Sequence, residues 1–277
     1  MEFTFMLAPL EDSTDNAFRE LCFRHGADLT FSEMTRITGL TRHNKSTEKK
    51  IEILNDVPTQ IQLAVQNEDK LKQFLKEFSP TKGFAGFNLN LGCPSPDLVK
   101  QGLGCALIKR VSKVRRLINI IKESGYPCSV KMRLGLNHFE KERKVYLNLI
   151  RDTDADFYVV HARHGDEHYE IEADNSAYPE CVGTGKNIIA NGDIVSKAKV
   201  DMFKSMGLKG VMIGRAAVRN PAIFELIKGN KETSIELIKK EYLQLSEKYG
   251  QSYKYQKNVL KRLGSSIVNS QKDVVMG

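Results

Sequence analysis

The chain of 277 residues carries 42 Lys and Arg against 34 Asp and Glu, a formal charge of +8 and a pI near 9.1. Its 41% hydrophobic and 27% charged residues are globular proportions, which excludes a disordered chain. No stretch approaches the ~20 uncharged apolar residues of a membrane helix, and the positive balance suits a polyanionic partner without demanding one.

Residues 1–6 run into a strand-like pattern with no basic leader, so no secretory signal is expected. Five cysteines, Cys22, Cys93, Cys105, Cys128 and Cys181, contain no C-x-x-C pair. That argues against a disulfide framework or a zinc ribbon and fits a reducing cytoplasm. Strand patterns are predicted at 3–8, 29–33, 60–64, 86–91, 128–134, 157–162, 187–191 and 210–214. Amphipathic helical patterns at 14–24, 68–78, 111–123, 139–152 and 197–206 are long enough for parallel crossovers. Eight such units over about 225 residues predict an α/β chain folded as a (β/α)8 TIM barrel. The competing doubly wound sheet lacks its G-x-G-x-x-G after the first strand.

After Pro221 the strand signals stop, and helices are predicted at 234–249 and 253–268. Residues 228–277 hold ten Lys or Arg against five Asp or Glu, so most of the net charge lies there. Two units are expected, a catalytic barrel over 1–225 and a basic helical tail over 226–277. Lys254, Lys257 and Lys261 are spaced to share one helix face, which an ordinary solvated surface explains as well as a functional one.

Reactive groups of this barrel gather at the C-terminal ends of its strands, and here those ends are polar. The first ends at Ala8, Pro9 and Leu10, the third carries Gln62, and the fourth runs through Asn90 and Gly92 to Cys93. The fifth holds Lys131 and Arg133, on one side of the strand because side chains alternate, and the sixth ends His161-Ala162-Arg163. Asn191-Gly192-Asp193 and Gly214-Arg215 end the seventh and eighth strands, where glycine turns and helix starts form the fold's usual phosphate site. Cys93 sits in a restricted turn; its thiol is mostly protonated at neutral pH and suits a general acid, with a nucleophilic role as the rival. His164 and His168 lack the H-E-x-x-H pattern and read as loop, so no metal is expected there.

Together these residues resemble the tRNA-dihydrouridine synthases. The resemblance rests on Ala8-Pro9-Leu10, Ser32-Glu33-Met34, Asn90-Leu91-Gly92-Cys93-Pro94, Lys131-Met132-Arg133-Leu134-Gly135, His161-x-Arg163, Asn191-Gly192-Asp193-Ile194 and Met212-Ile213-Gly214-Arg215, in the family's order over roughly residues 3–225. His164, Asn88 and Cys105 depart from the residues the family usually carries. The resemblance implies an FMN-dependent reductase of the uridine C5–C6 bond in tRNA, with NADPH as electron source, acting as a monomer in the cytoplasm. It places Ala8, Pro9 and Leu10 beside the isoalloxazine, and Gln62, Lys131 and His161 at its polar edge. Asn191, Gly192, Asp193, Gly214 and Arg215 would hold its phosphate. Asn90, Arg133 and Arg163 would lie near the target base, Cys93 would donate the proton, and Lys254, Lys257 and Lys261 would meet RNA phosphates. Rival readings are the same chemistry on rRNA, a flavin barrel acting on a free pyrimidine, and a non-catalytic RNA-binding module.

Overall fold

Nine strands pair in parallel among the described residues of the computed structural model, which are 1–231 and 233–265. They are β1 (Thr4–Leu7), β2 (Thr30–Phe31), β3 (Thr35–Arg36), β4 (Thr59–Ala64), β5 (Phe84–Leu91), β6 (Cys128–Arg133), β7 (Tyr158–His161), β8 (Ile188–Asn191) and β9 (Gly210–Ile213). Both β2 and β3 pair with β4, one at its start and one at its end, so they form a single interrupted barrel strand. The interruption is local: the Ser32 hydroxyl accepts the Gln62 N–H at 3.0 Å. Pairing of β1 with β9 and a bridge between Met6 and Leu29 close the ring. The predicted (β/α)8 barrel is thus the fold, each expected strand falling within a residue or two of its place.

Crossover helices cover the outside because their apolar residues recur at helical spacing. The helix Val111–Glu123 buries Val114, Leu117, Ile118 and Ile121 against the sheet. The single helix expected over 139–152 is two, His138–Glu142 and Val145–Asp152, because Lys144 takes a left-handed backbone at φ 50°. Inside the barrel, Met6, Phe31, Phe157, Val159, Ile189 and Met212 fill one half with apolar side chains. Gln60, Gln62, Asn88, Asn90 and Ser129 fill the other, and as buried polar groups they need partners, which they find in one another.

The tail packs on the barrel's first helix, Asn16–Arg24. Its long helix Ile235–Lys248, capped by Ser234, sets Tyr242 edge-on to Phe18 with ring centroids 6.3 Å apart. Around that contact, Glu241 lies 2.8 Å from His25, and Lys248 lies 3.2 Å from Glu20. Ile238, Tyr242, Leu245, Val259 and Leu263 therefore belong to the same hydrophobic cluster as the barrel's outer layer. The second tail helix spans Tyr253–Leu260, shorter than expected. It gives way to a turn in which Gly264, at φ 78°, donates to the Arg219 carbonyl at 2.9 Å. The remainder of the expected helix, 266–268, lies outside the described residues.

Candidate active site

A cleft of about 1000 Å³ opens over the C-terminal ends of the strands. Of the expected site residues, Pro9, Gln62, Asn90, Cys93 and Arg133 line it. Cys93 is 6% exposed and packs with Ala64, Leu98, Leu103 and Met34. The Asn90 carboxamide oxygen accepts the N–H groups of Gly92 (3.1 Å) and Cys93 (3.0 Å), which fixes the turn that carries the thiol. Burial pushes the Cys93 pKa up, against the opposing pull of Arg133 and Lys131, so the thiol keeps its proton at neutral pH. All five cysteines are free and buried.

Asn90 in turn donates to Gln62 at 2.9 Å, Gln62 to Asn88 at 2.7 Å, and Asn88 to the Ser129 hydroxyl at 2.7 Å. Ser129 meets Gln60 at 2.5 Å, and Gln60 ends the ladder on the Ala85 carbonyl. Within the described residues, Gln62 therefore gives both ends of its amide to neighbours while its edge faces the cleft. Asn90 positions Cys93 directly, a duty that its place two residues before Gly92 did not announce.

Lys131 stands beside Asn90 in the β5–β6 register. It makes no ion pair among the described residues, and burial with the adjacent Arg133 charge lowers its pKa to about 8. His161 is pulled well below its ordinary pKa, first by burial and then by Arg133, Lys131, Arg163 and Arg215. Its imidazole stays neutral, and Nε2 lies 3.1 Å from the Arg163 guanidinium.

The other cations are bound to the loop that follows β7. Arg133 donates to the His164 carbonyl at 2.8 Å. Arg163, with no exposed surface, donates to the Ile171 carbonyl at 2.8 Å and pairs with Asp193 at 2.6 Å. Asp193 also takes Arg215 at 2.8 Å, so one carboxylate serves two guanidiniums. Burial alone would raise the Asp193 pKa, but its hydrogen bond to Arg163 and the charges around it hold it below the usual carboxylate range. Arg163 and Asp193 thus act as loop anchors, with Arg215 alongside.

Tyr169 is the residue the sequence did not single out. Its ring stacks on His161 at 6.0 Å, lies 4.1 Å from the Arg215 guanidinium, and is flanked at 5.6 Å by Arg133 and by Arg163. It lines the cleft on one side and faces the β7–β9 strand ends on the other. An aromatic residue eight positions after the start of the His-x-Arg pair, inside a polar loop, was the signal that could have found it. Among the described residues, His164 and His168 belong to no close group of potential metal ligands; only Glu11, Asp12 and Glu33 gather closely enough for one, and there Lys50 pairs with Glu11 and Glu33 and Lys254 with Asp12.

At the ends of β8 and β9, Gly192 and Gly214 follow one and two residues past the Asn191–Met212 pair of their register. Gly192 has φ 121°, and a β-carbon there would come 2.9 Å from Ala173 and 3.2 Å from His161. Asn191 ties β8 to β9 through the Met212 carbonyl at 2.8 Å. Ala8 is buried against this end, its β-carbon 3.3 Å from where one on Gly214 would lie, and Leu10 is buried behind Pro9. In the tail, Lys254 pairs with Asp12 at 2.7 Å, whereas Lys257 and Lys261 are exposed without an ion pair among the described residues.

Arg133 at the cleft, with Lys131 on the same strand and Arg215 just past β9, brings positive charge to these strand ends, while the buried Arg163, paired with Asp193, holds the loop beside them. Such a donor set, with small residues that let a ligand approach the backbone, fits a flat anionic cofactor. A closed parallel barrel with positive charge at these strand ends defines a (β/α)8 barrel enzyme whose site suits an anionic cofactor. The chain belongs to the dihydrouridine synthase family, whose model matches residues 6–272. It is 32% identical over 244 residues to the probable tRNA-dihydrouridine synthase of Helicobacter pylori strain 26695, covering 85% of this chain and 73% of that one. It is 30% identical to probable tRNA-dihydrouridine synthase 2 of Bacillus subtilis, covering 80% and 71%. Among solved structures, morphinone reductase superposes with a TM-score of 0.55 at 12% identity, covering 83% of this chain and 87% of that one. A dihydroorotate dehydrogenase from Eimeria tenella gives 0.54 at 12%, covering 92% and 84%; both likenesses concern the barrel alone. Like its family, the chain is a flavin-dependent enzyme that reduces uridine to dihydrouridine. No described helix is long and apolar enough to cross a membrane.

Proposed function

We propose that this chain reduces the C5–C6 bond of uridine in tRNA as a cytoplasmic monomer, using FMN with NADPH as electron donor. The observation that carries the reading is a charged lysine, Lys131, without an acidic partner among the described residues, set one strand away from a buried, protonated Cys93. A flavin held there by Lys131, Arg215 and the strand-end glycines would supply the hydride destined for C6 of the pyrimidine. Lys131 holds positive charge at its polar edge, where a low local dielectric strengthens the attraction. Neutral His161 offers a hydrogen-bonding nitrogen without adding charge. Gly192 and Gly214 let a phosphate approach the backbone, and Arg215 adds charge there, sharing Asp193 with Arg163. Pro9 lines the cleft, and Ala8 and Leu10 pack beside Gly214.

Cys93 holds the proton destined for C5, because its raised pKa keeps the thiol protonated and Asn90 fixes its turn. Arg133 borders the base, and Arg163 supports the loop from behind. A uridine within a folded RNA must leave its stack, which costs a few kcal/mol and calls for phosphate contacts away from the chemistry. Lys257 and Lys261 of the tail can make them, while Lys254 is shared with Asp12.

The test separates the two half-reactions. Cys93→Ala keeps its flavin and its bleaching by NADPH, while reoxidation by unmodified tRNA slows by about 10²–10⁴-fold, the range for a lost general acid. Mass spectrometry of the product tRNA reads dihydrouridine directly. Unchanged reoxidation, or equal slowing of both halves, overturns the assignment of Cys93; turnover on free uracil but not on tRNA overturns the substrate.

A further inference from the structure

We infer that the segment between β3 and β4 carries a second RNA-phosphate surface, a cationic ledge of Arg42, Lys45 and Lys49 on the rim of the cleft; this rests on the tRNA reading above.

The segment folds as two short helices, Ile37–Leu40 and Lys45–Ile51. Its inner side belongs to the cleft, which Thr38, Gly39, Ser46, Thr47 and Lys50 help to line. Lys50 turns inward, bonding Glu11 and lying 3.3 Å from Glu33. The outer side carries Arg42, Lys45 and Lys49, all exposed and none in an ion pair among the described residues. The acid between them, Glu48, is engaged by His43 at 3.2 Å.

Two features set this ledge apart from an ordinary solvated face. Unlike the exposed Lys72 and Lys76 of the helix Glu68–Glu77, equally unpaired among the described residues, these cations stand on a segment whose inner side lines the cleft. Lys45 and Lys49, four apart on one helix face, repel each other in a helix of seven residues. The backbone beneath them is also firmly built. Asn44 caps the helix by accepting from Thr47 at 3.1 Å, and Ile37 and Leu40 are buried. A β-carbon on Gly39 would lie 2.7 Å from the Thr47 hydroxyl, so the two short helices touch at a glycine. Unpaired like charges on a fixed frame are what a polyanion recognises.

The ledge and the tail meet beside the cleft. Lys50 holds Glu11, and Lys254 of the tail holds the adjacent Asp12. A strand whose uridine is swung down to Cys93 would thus have its flanking phosphates held at the rim, with the ledge on one side and the tail helix on the other.

The experiment uses the full flavin-loaded chain with Arg42→Gln, Lys45→Gln and Lys49→Gln combined. A control combines Lys72→Gln and Lys76→Gln, exposed lysines on the helix Glu68–Glu77 that take no part in the cleft. Filter binding of an unmodified tRNA transcript is measured from about 50 to 200 mM salt. Flavin content and bleaching by NADPH remain at wild-type values in the ledge variant, which shows that it folds. Its tRNA affinity falls about tenfold at the lower salt, and its log–log salt slope flattens by about 0.7–0.9 for each phosphate that is no longer neutralised. The control keeps the wild-type line. A ledge variant that binds on the wild-type line, or a control that weakens as much, overturns the ledge. Wild-type protein that binds no tRNA overturns the tRNA reading and the ledge with it.

Discussion

Gly104 packs so closely on Cys93 that a β-carbon at position 104 would lie 2.2 Å from the Cys93 carbonyl oxygen. That carbonyl accepts the Cys105 N–H at 3.0 Å, and the Cys105 thiol points at the Gly92 carbonyl at 3.1 Å. With φ at 58°, Gly104 also occupies the left-handed region, where a side chain costs about 1–2 kcal/mol. Gly104→Ala should therefore displace the thiol-bearing turn. The expected outcome is a lower Tm and at least a tenfold loss of dihydrouridine formation, with flavin bleaching by NADPH little changed. Wild-type rates on tRNA would show that the turn tolerates the shift.

Lys131 gives a prediction with a sign. Its folded pKa near 8 lies below the ordinary lysine value of 10.5, so between those values the unfolded chain binds more protons and stability rises with pH. Below pH 8 the protonated ammonium weighs fully against the flavin-free fold. Lys131→Met should raise the Tm of flavin-free protein at pH 7 by a few degrees, lose that advantage above pH 10, and weaken flavin retention. Calorimetry at the two pH values, with flavin absorbance on the same samples, checks all three.

Removing the carboxylate shared by Arg163 and Arg215 should cost more than removing the more exposed of its two partners. Arg163 is fully buried, and a buried charge stripped of its partner typically loses about 3–5 kcal/mol. Asp193→Asn should accordingly lower the denaturant midpoint substantially and release the loop that Arg163 and Tyr169 hold. Arg215→Ala leaves Arg163 paired, so it should weaken flavin binding while changing stability far less.

At the seam between barrel and tail, Glu33 is buried, which lifts its pKa to about 7; Lys50 and Tyr255 work against that rise, while Glu11 adds to it. Arg19 also bears on the seam, and Asp15 is raised by burial to about 6. A native carboxyl that keeps its proton from pH 4.5 to 7 while the unfolded chain releases it makes stability fall as pH rises through that window. Glu33→Gln should match wild-type Tm near pH 4.5 and exceed it above pH 7. Thermal scans across that range test it, and parallel curves would assign the pH response elsewhere.

Much of the fold could be read from the residues because a parallel barrel writes each strand as a short apolar run between amphipathic helices. The polar strand ends were legible for the same reason, since Asn90, Cys93, Lys131 and His161 interrupt runs that otherwise continue apolar. What stayed hidden depends on three-dimensional pairing. The Arg163–Asp193–Arg215 cluster joins residues from three separate strand ends. Tyr169 sits in a loop with no period, and the β3 segment is too short to register a pattern. Lys144 breaks its helix without a glycine or proline to announce it.

The amide ladder inside the barrel has a polarity. From Asn90 through Gln62, Asn88 and Ser129 to Gln60 and the Ala85 carbonyl, every donor points the same way, away from Cys93. Aligned bonds of this kind reinforce one another by about 10–30% each, and none can reverse without its neighbours. The oxygen that Asn90 presents to the Cys93 N–H is therefore the terminus of a dipole wire laid across the polar half of the barrel. Because the Gly92 and Cys93 N–H groups pin that oxygen, the sense of the chain is set from the Cys93 end, and a change at Gln60, four hydrogen bonds away, leaves an unmatched group in the ladder rather than reversing it.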